Sequence, residues 1–120
     1  MDYKEIVKLI LPKGLLDYFD VIGMKEVSSS SEQDEHYIIT LEEKNTLPDG
    51  LTESEYESKG FYKARLIHDF PLRGKAVYLE IQRRRWRHKV DKKDIHRDFT
   101  LIAEGTKFTK ELSAFLKQGY

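Results

Sequence analysis

The stretch KAVYLEIQRRRWRHK (residues 75–89) joins an apolar strand pattern to a cluster of arginines. Its first half alternates apolar and polar side chains, with Val77, Leu79 and Ile81 on one face, which is typical of a half-buried strand. After Ile81 both faces turn polar, so we expect the rest of this strand to leave the core as a protruding basic ribbon. The side chains on that ribbon are Arg83, Arg84, Arg85, Trp86 and Arg87.

The neighbouring segments predict that this strand is the middle of a three-stranded antiparallel meander over residues 61–103. Segment 61–70 shows a period of two, and PLRG (71–74) reads as a tight turn. Segment 95–103 continues after a polar turn as the third strand. The expected core face of 61–70 comprises Tyr62, Ala64, Leu66 and Phe70, with Ile67 as an exception.

The first half of the chain predicts two further strands and two short helices. Strands are expected at 19–27 and 36–43, forming a hairpin around a polar loop, and a short helix at 52–60 because Thr52 and Glu55 fit a capping box. The N-terminal helix has an apolar stripe made of Ile6, Leu9 and Ile10.

The end of the chain predicts a helix over residues 106–118. Its apolar face comprises Phe108, Leu112, Phe115 and Leu116. This face either packs on the domain's own sheet or docks on a partner polypeptide.

Together these elements predict an α+β fold: an antiparallel sheet of about five strands, a protruding basic hairpin and a helix at each end. The whole chain, 1–120, is expected to be one domain, with an acidic half (1–60), a basic meander (61–103) and the C-terminal helix (106–118).

The zero net charge of the chain hides an asymmetry. Residues 1–60 contain 6 Lys and Arg against 14 Asp and Glu, whereas residues 61–120 contain 15 against 7. Such a split indicates contact with nucleic acid or with an acidic surface. The absence of cysteine excludes disulfides and thiolate zinc sites. No apolar run reaches the length of about 20 residues that spans a bilayer, so we expect no membrane partner.

The basic ribbon has two interpretations. An exposed ribbon with Lys89, Lys92 and Lys93 at its tip can lie along a DNA backbone, where arginine matches phosphate or guanine edges. Alternatively, RRRWR (83–87) lies against the acidic runs EEK (42–44) or ESEYES (53–58) of the same molecule. Trp86 could stack on a base, but a covered position in the fold is the more frequent fate of tryptophan.

No motif indicates an enzyme. The sequence has no nucleophile elbow, phosphate-binding loop or dinucleotide fingerprint. His88 and His96 could face each other across the hairpin, but two imidazoles without a third ligand make a poor metal site. We therefore expect no catalytic residues, no metal and no cofactor.

Four stretches resemble the N-terminal protein of bacterial insertion-sequence transposases that are encoded in two pieces. They are DFPLRGKAVYL (69–79), RRRWR (83–87), RDFTLIAEGT (97–106) and TKEL…FL (109–116), and weaker likeness extends to LPKGLLDYFDV and LEEKN. Related single-chain transposases carry a zinc-ribbon-like module followed by a helix-turn-helix. Every cysteine is missing here, so metal binding is not carried over.

The resemblance implies a non-catalytic module that binds double-stranded DNA at transposon ends and works with a companion catalytic polypeptide in the bacterial cytoplasm. It assigns DNA contact to Arg83, Arg84, Arg85, Arg87 and Arg97, and implies that helix 107–118 is the first helix of a helix-turn-helix. With the residues singled out above, the full set of expected DNA contacts is Arg83, Arg84, Arg85, Trp86, Arg87, Lys89, Lys92, Lys93 and Arg97.

Three alternatives stay open at this point. The chain could be a protein-interaction module whose ribbon meets an acidic partner, or an RNA-binding module, which Trp86 would favour. It could also be a relic fragment of a mobile element. The sequence leaves the oligomeric state undetermined.

Overall fold

The computed structural model describes residues 3–12, 14–28, 35–100 and 108–118. Three helices are seen within these ranges: α1 (Tyr3–Ile10), α2 (Leu15–Tyr18) and α3 (Lys110–Lys117). The same ranges contain seven strands: β1 (Phe19–Val27), β2 (His36–Glu43), β3 (Tyr56–Phe61), β4 (Arg65–His68), β5 (Ala76–Gln82), β6 (Arg84–His88) and β7 (Asp94–Ile95). The predicted α+β class is confirmed. None of the helices in the described part of the chain is long and apolar enough to cross a membrane.

The strands form two sheets. The large sheet has the order β1-β2-β5-β4, and the small sheet has the order β3-β6-β7. All pairings are antiparallel except that of β2 with β5, which is parallel and aligns His36 with Ala76 and Glu42 with Gln82. The predicted β1–β2 hairpin is confirmed with the predicted bounds.

The predicted meander over 61–103 is wrong. Only β4 and β5 pair as expected, because β5 continues on its other side to β2 and not to the chain that follows it. The chain leaves the large sheet at Arg83 and enters the small sheet as β6. The third strand is short, β7 alone, and residues 101–103 of the predicted strand lie outside the described residues.

The predicted helix at 52–60 is also wrong. Thr52 does begin a turn, since its carbonyl oxygen accepts the backbone N–H groups of Glu55 and Tyr56 at 3.1 Å. The turn stops there, and the following residues form β3, which pairs with β6. A capping pattern of one turn is therefore overridden by pairing with a strand that is distant in sequence.

The core lies between one face of the large sheet and the helices. Val77, Leu79 and Ile81 of β5 face it, as the alternation predicted. On β4 the predicted face is wrong. Ile67, the exception in the pattern, is buried, whereas Leu66 is half exposed. The other core members are Val7, Leu11, Leu15, Phe19, Val21, Ile39, Leu41, Phe99, Leu112, Phe115 and Leu116.

Helix α1 turns a different face to the core from the one expected. Ile6, Leu9 and Ile10 are exposed, Leu9 to 77%, while Val7 is buried. Val7 begins a spacing of four residues that continues through Leu11, Leu15 and Phe19, across the break between the helices and into β1. The apolar stripe read from α1 alone is therefore exposed. The buried face of α1 is the one that continues, at a spacing of four residues, through α2 and into β1.

Helix α3 packs on the domain's own sheet. Leu112, Phe115 and Leu116 are buried in the core, and Phe108 packs against it, so these four side chains are not available to a partner in this conformation. The hydroxyl of Thr109 accepts the N–H of Leu112 at 3.2 Å and caps the helix. Residues 106 and 107 of the predicted helix lie outside the described residues.

Candidate nucleic-acid interface

The basic stretch begins with a buried arginine. Arg83 is only 1% exposed and lies where β5 ends and β6 begins. Its guanidinium donates to the carbonyl oxygens of Arg97 at 2.6 Å and Gln118 at 3.1 Å, and lies 3.3 Å from Nδ1 of His96. The same group sits over the ring of Phe99, with its carbon 5.0 Å from the ring centre. Arg83 therefore joins the strand to the C-terminal helix, and DNA cannot reach it in this conformation.

The carboxyl group of Glu43 lies between Arg84 and Arg97 and contacts both. This carboxyl ends β2 and is 1% exposed. One oxygen accepts the backbone N–H of Arg84 at 2.9 Å, and the other lies 3.7 Å from Nε of Arg97. Burial raises the pKa of Glu43 to about 7, against the opposing effects of the Arg84 N–H and of the charges on Arg83, Arg97 and Arg84.

The guanidinium groups of Arg84 and Arg97 are largely covered. Arg84 donates to the hydroxyl of Ser58 at 2.7 Å and sits 4.5 Å above the ring of Phe61. Arg97 donates to the carbonyl oxygen of Thr46 at 2.6 Å and sits 4.7 Å above the ring of Tyr18. Arg84 thus binds its neighbour strand β3, and its Nε also donates to the carbonyl oxygen of Glu43 in the large sheet at 3.2 Å, while Arg97 binds residues at the ends of β2 and α2. The structure therefore places both arginines in internal roles.

Trp86 is buried, with 1% of its surface exposed. Its indole Nε1 donates to Oδ1 of Asn45 at 3.0 Å, which satisfies the one polar atom of the ring. A nucleic-acid base cannot stack on Trp86 in this conformation. The structure thus favours the covered position over base stacking.

Arg85 and Arg87 lie on the opposite side of β6 from Trp86 and share one carboxylate. Arg87 donates to both oxygens of Asp94, at 2.6 and 3.3 Å, and Nε of Arg85 lies 3.8 Å from the same group. The hydrogen bond from Arg87 lowers the pKa of Asp94. About a third of each arginine side chain stays in solvent, so both remain within reach of a ligand that displaces Asp94.

The turn between β6 and β7 holds the lysines that remain in solvent. Nδ1 of His88 lies 3.2 Å from the backbone N–H groups of Val90 and Asp91, accepts from them and fixes the turn. Lys92 adopts a left-handed backbone conformation with φ of 62°. The exposed cations of the turn are Lys89, Lys92 and Lys93.

The small sheet is less basic than the sequence of the hairpin suggests. Residues 84–95 carry six basic and two acidic side chains, but the segment beside them, 53–59, carries one basic and three acidic. The combined charge is therefore +2. Lys89 donates to the carbonyl oxygen of Glu53 at 2.8 Å, and His88 lies 3.7 Å from Glu55.

The internal partners of the arginines include residues from both acidic runs named from the sequence. Glu42 and Glu43 belong to EEK, and Ser58 belongs to ESEYES. Sequence reasoning did not single out Asn45, which no local signal ties to Trp86. No group of three potential metal ligands occurs within residues 3–12, 14–28, 35–100 and 108–118.

Comparison with known proteins adds no identification. No family model, curated protein or solved structure matches the chain. Any functional assignment therefore rests on the residues and on the geometry described above.

Proposed function

We propose that the chain is a non-catalytic DNA-binding module of a two-part insertion-sequence transposase, and that the tip of its β6–β7 hairpin contacts phosphates at transposon ends. The observation that carries the proposal is the cluster of Lys89, Lys92 and Lys93 on one short turn, all exposed. Lysine on a solvent-exposed turn is a point charge suited to phosphate and needs no further ordering of the backbone.

The proposed contacts fall into two groups. Lys89, Lys92 and Lys93 meet phosphates directly, and Arg85 and Arg87 join them when the approaching phosphates displace Asp94. Arg83, Arg84, Trp86 and Arg97 hold the hairpin in place and do not touch DNA. This division leaves about three to five side chains that contact phosphates. For each such contact, the logarithm of the binding constant should fall by about 0.9 for every tenfold rise in salt concentration.

The salt dependence follows from that number. Raising the salt from 50 to 200 mM should weaken binding about 40-fold for three contacts and about 500-fold for five. Contact with phosphates carries no sequence information by itself. The companion catalytic polypeptide then supplies sequence reading and catalysis, and both work in the bacterial cytoplasm.

A second candidate is a protein-interaction module whose hairpin binds an acidic partner. The observation that favours it is the acidic segment beside the lysines, because the carboxylate of Glu55 already lies 3.7 Å from His88 at the start of this turn. An RNA-binding module would use Trp86 to stack on a base, and Trp86 is buried, so RNA binding is not favoured.

The test is fluorescence anisotropy of a labelled duplex with wild type and a tip variant, Lys89→Ala/Lys92→Asn/Lys93→Ala. Asparagine is chosen at position 92 because it tolerates positive φ. The matched control, Lys4→Ala/Lys25→Ala/Lys63→Ala, removes the same charge from exposed positions elsewhere.

Loss of binding in the tip variant, with binding retained in the control, supports the proposal. Equal loss in both variants would mean that only net charge matters. Wild-type binding to an acidic peptide but to no duplex would favour the second candidate.

A further inference from the structure

Strand β4 lies at an edge of the large sheet. Its partner is β5, and no strand within the described ranges pairs with its other side. Residues 65–68 of β4 oppose residues 81–78 of β5 in register. The N–H of Asp69 donates to the carbonyl oxygen of Val77 at 2.8 Å, which puts Ile67 and Arg65, two and four residues earlier, at the bonded positions. Because antiparallel partners alternate between bonded and non-bonded pairs, the backbone groups of the intervening residues, Leu66 and His68, point away from the sheet.

A groove runs between this edge and helix α3. Its volume is about 330 Å³, within the range of sites that hold a ligand. The floor is apolar, formed by Ile67 and Phe115, and the exposed Leu66 and Ala114 stand on the two sides. Groove residues come from the strand edge and from the exposed flank of the helix. The full lining is Arg65, Leu66, Ile67, Glu111, Ala114, Phe115 and Gln118.

The charge on the strand side of the groove is positive. Arg65 is exposed, and its guanidinium is held at one end of the groove by a hydrogen bond to Oε1 of Gln118 at 3.2 Å and by the ring of Phe115, 5.8 Å away. The exposed Lys63 precedes β4 in the chain, and Glu111 is the acidic residue in the lining. A ligand carboxylate would meet an arginine that is already oriented.

We propose that this groove binds an extended peptide segment of a partner protein, with alternating apolar and acidic residues, which pairs with β4 as a fifth strand of the large sheet. The outward N–H and C=O groups of Leu66 and His68 supply the main-chain hydrogen bonds. Apolar side chains on one face of the peptide enter the groove over Ile67 and Phe115, and the terminal carboxylate of the peptide pairs with Arg65, which shares that face of β4 with Ile67. The acidic side chains on the other face of the peptide lie outside the groove, on the side of Leu66.

A second copy of this chain fits the edge less well than a peptide does. Paired strands lie about 4.8 Å apart, whereas packed helices need about 8–10 Å between their axes. Helix α3 contacts β4 and lines the groove beside it, so two copies joined through β4 would each bring a helix to the same seam. A bare extended segment carries no such helix.

The experiment uses the full chain and three labelled six-residue peptides. One alternates valine and glutamate, one alternates valine and lysine, and the third is the glutamate peptide with its central valine replaced by proline. Binding is measured by anisotropy, and amide hydrogen exchange of Leu66 and His68 is followed by NMR. Ala114→Arg fills the groove from the exposed face of α3. Leu9→Arg, an exposed apolar-to-arginine change on α1, is the matched control.

The proposal expects saturable binding of the glutamate peptide, at least tenfold weaker binding of the other two, and slowed exchange at Leu66 and His68 in the complex. Ala114→Arg should weaken binding at least tenfold, while Leu9→Arg leaves it unchanged. No binding of the glutamate peptide up to about 1 mM, or binding without protection of these two amides, would overturn it. The outcome is independent of DNA binding, because the three tip lysines are intact in both variants.

Discussion

Replacing Glu43 with glutamine tests whether burial or the surrounding arginines dominates the junction between the sheets. Glutamine keeps the oxygen that accepts the Arg84 N–H at 2.9 Å. It removes a carboxyl whose pKa is raised by burial from 4.5 to about 7. An acid whose pKa rises on folding stabilises the fold fully below its unfolded pKa, and this contribution is lost as the pH rises through the folded value. The relevant window for Glu43 is therefore pH 4.5 to 7.

The size of the effect follows from the shift. A rise in the pKa of Glu43 from 4.5 to about 7 lowers the free energy of unfolding by about 3 kcal/mol when this carboxyl changes from fully protonated to fully ionised. The conversion is about 1.36 kcal/mol per pKa unit. Between pH 5 and pH 8 the linkage relation gives about 2.5 kcal/mol. The free energy of unfolding of Glu43→Gln, measured relative to wild type, should rise by this amount as the pH goes from 5 to 8.

The assay is urea unfolding, followed by the fluorescence of the single tryptophan, Trp86, at pH 5, 6, 7 and 8. Taking the difference between variant and wild type removes the contribution of every other titrating group. Glu42→Gln is the control, because Glu42 is the adjacent and more exposed carboxyl. A difference that does not change with pH, or a Glu43→Gln variant that becomes less stable than wild type at pH 8, would show that the arginine charges outweigh burial.

Three further changes test the interior and the hairpin. Trp86→Phe removes the 3.0 Å bond to Asn45 and should cost about 1–3 kcal/mol in calorimetric or circular-dichroism unfolding, because the amide oxygen loses its donor; an unchanged stability would contradict this account. Leu112→Ala empties a fully buried site and should cost about 2–5 kcal/mol by the same measurement, and a cost below about 1 kcal/mol would mean that α3 is not held by the core. Asp94→Asn frees Arg87 and should raise duplex affinity about three- to tenfold at 50 mM salt and steepen the salt dependence; weaker binding would indicate that the ion pair orients the hairpin for DNA.

The elements that were predicted well carry their signal locally. The strands at 19–27 and 36–43 are found with the expected bounds, and β5 shows the expected alternation of buried residues. Helix α3 has the expected buried face. In each case the period of the apolar residues, read over one segment, is enough to identify the element.

The pairing of these elements could not be read in the same way. The parallel alignment of β2 with β5 joins residues 40 positions apart, and nothing in either strand selects a parallel over an antiparallel neighbour. β3 is a strand because β6 lies beside it, while its own sequence suits a helix. The apolar stripe of α1 was misassigned because one turn of helix cannot show which flank the following elements will continue.

For the candidate site, the sequence indicates which segment is rich in arginine, but not which of its side chains are exposed. The run RRRWR (83–87) does contain the partly exposed pair Arg85 and Arg87, but the same run also contains the buried Arg83 and Trp86. What separates them is partners that lie far away in the sequence: Asn45 covers the indole N–H of Trp86, and the carbonyl oxygens of Arg97 and Gln118 hold the guanidinium of Arg83. Alternation along β6 decides which side chains face them.

The parallel pairing of β2 with β5 has a consequence for synthesis of the chain. Each residue of β2 waits for a partner that is translated 40 residues later. At about 5–20 residues per second on the ribosome, that interval lasts about 2–8 s. During it the β1–β2 hairpin presents an unpaired edge through Ile38, Ile39 and Leu41, a template for association with other nascent chains. We therefore expect chaperones to bind the β1–β2 hairpin while β2 is unpaired, and to be released when β5 pairs with it.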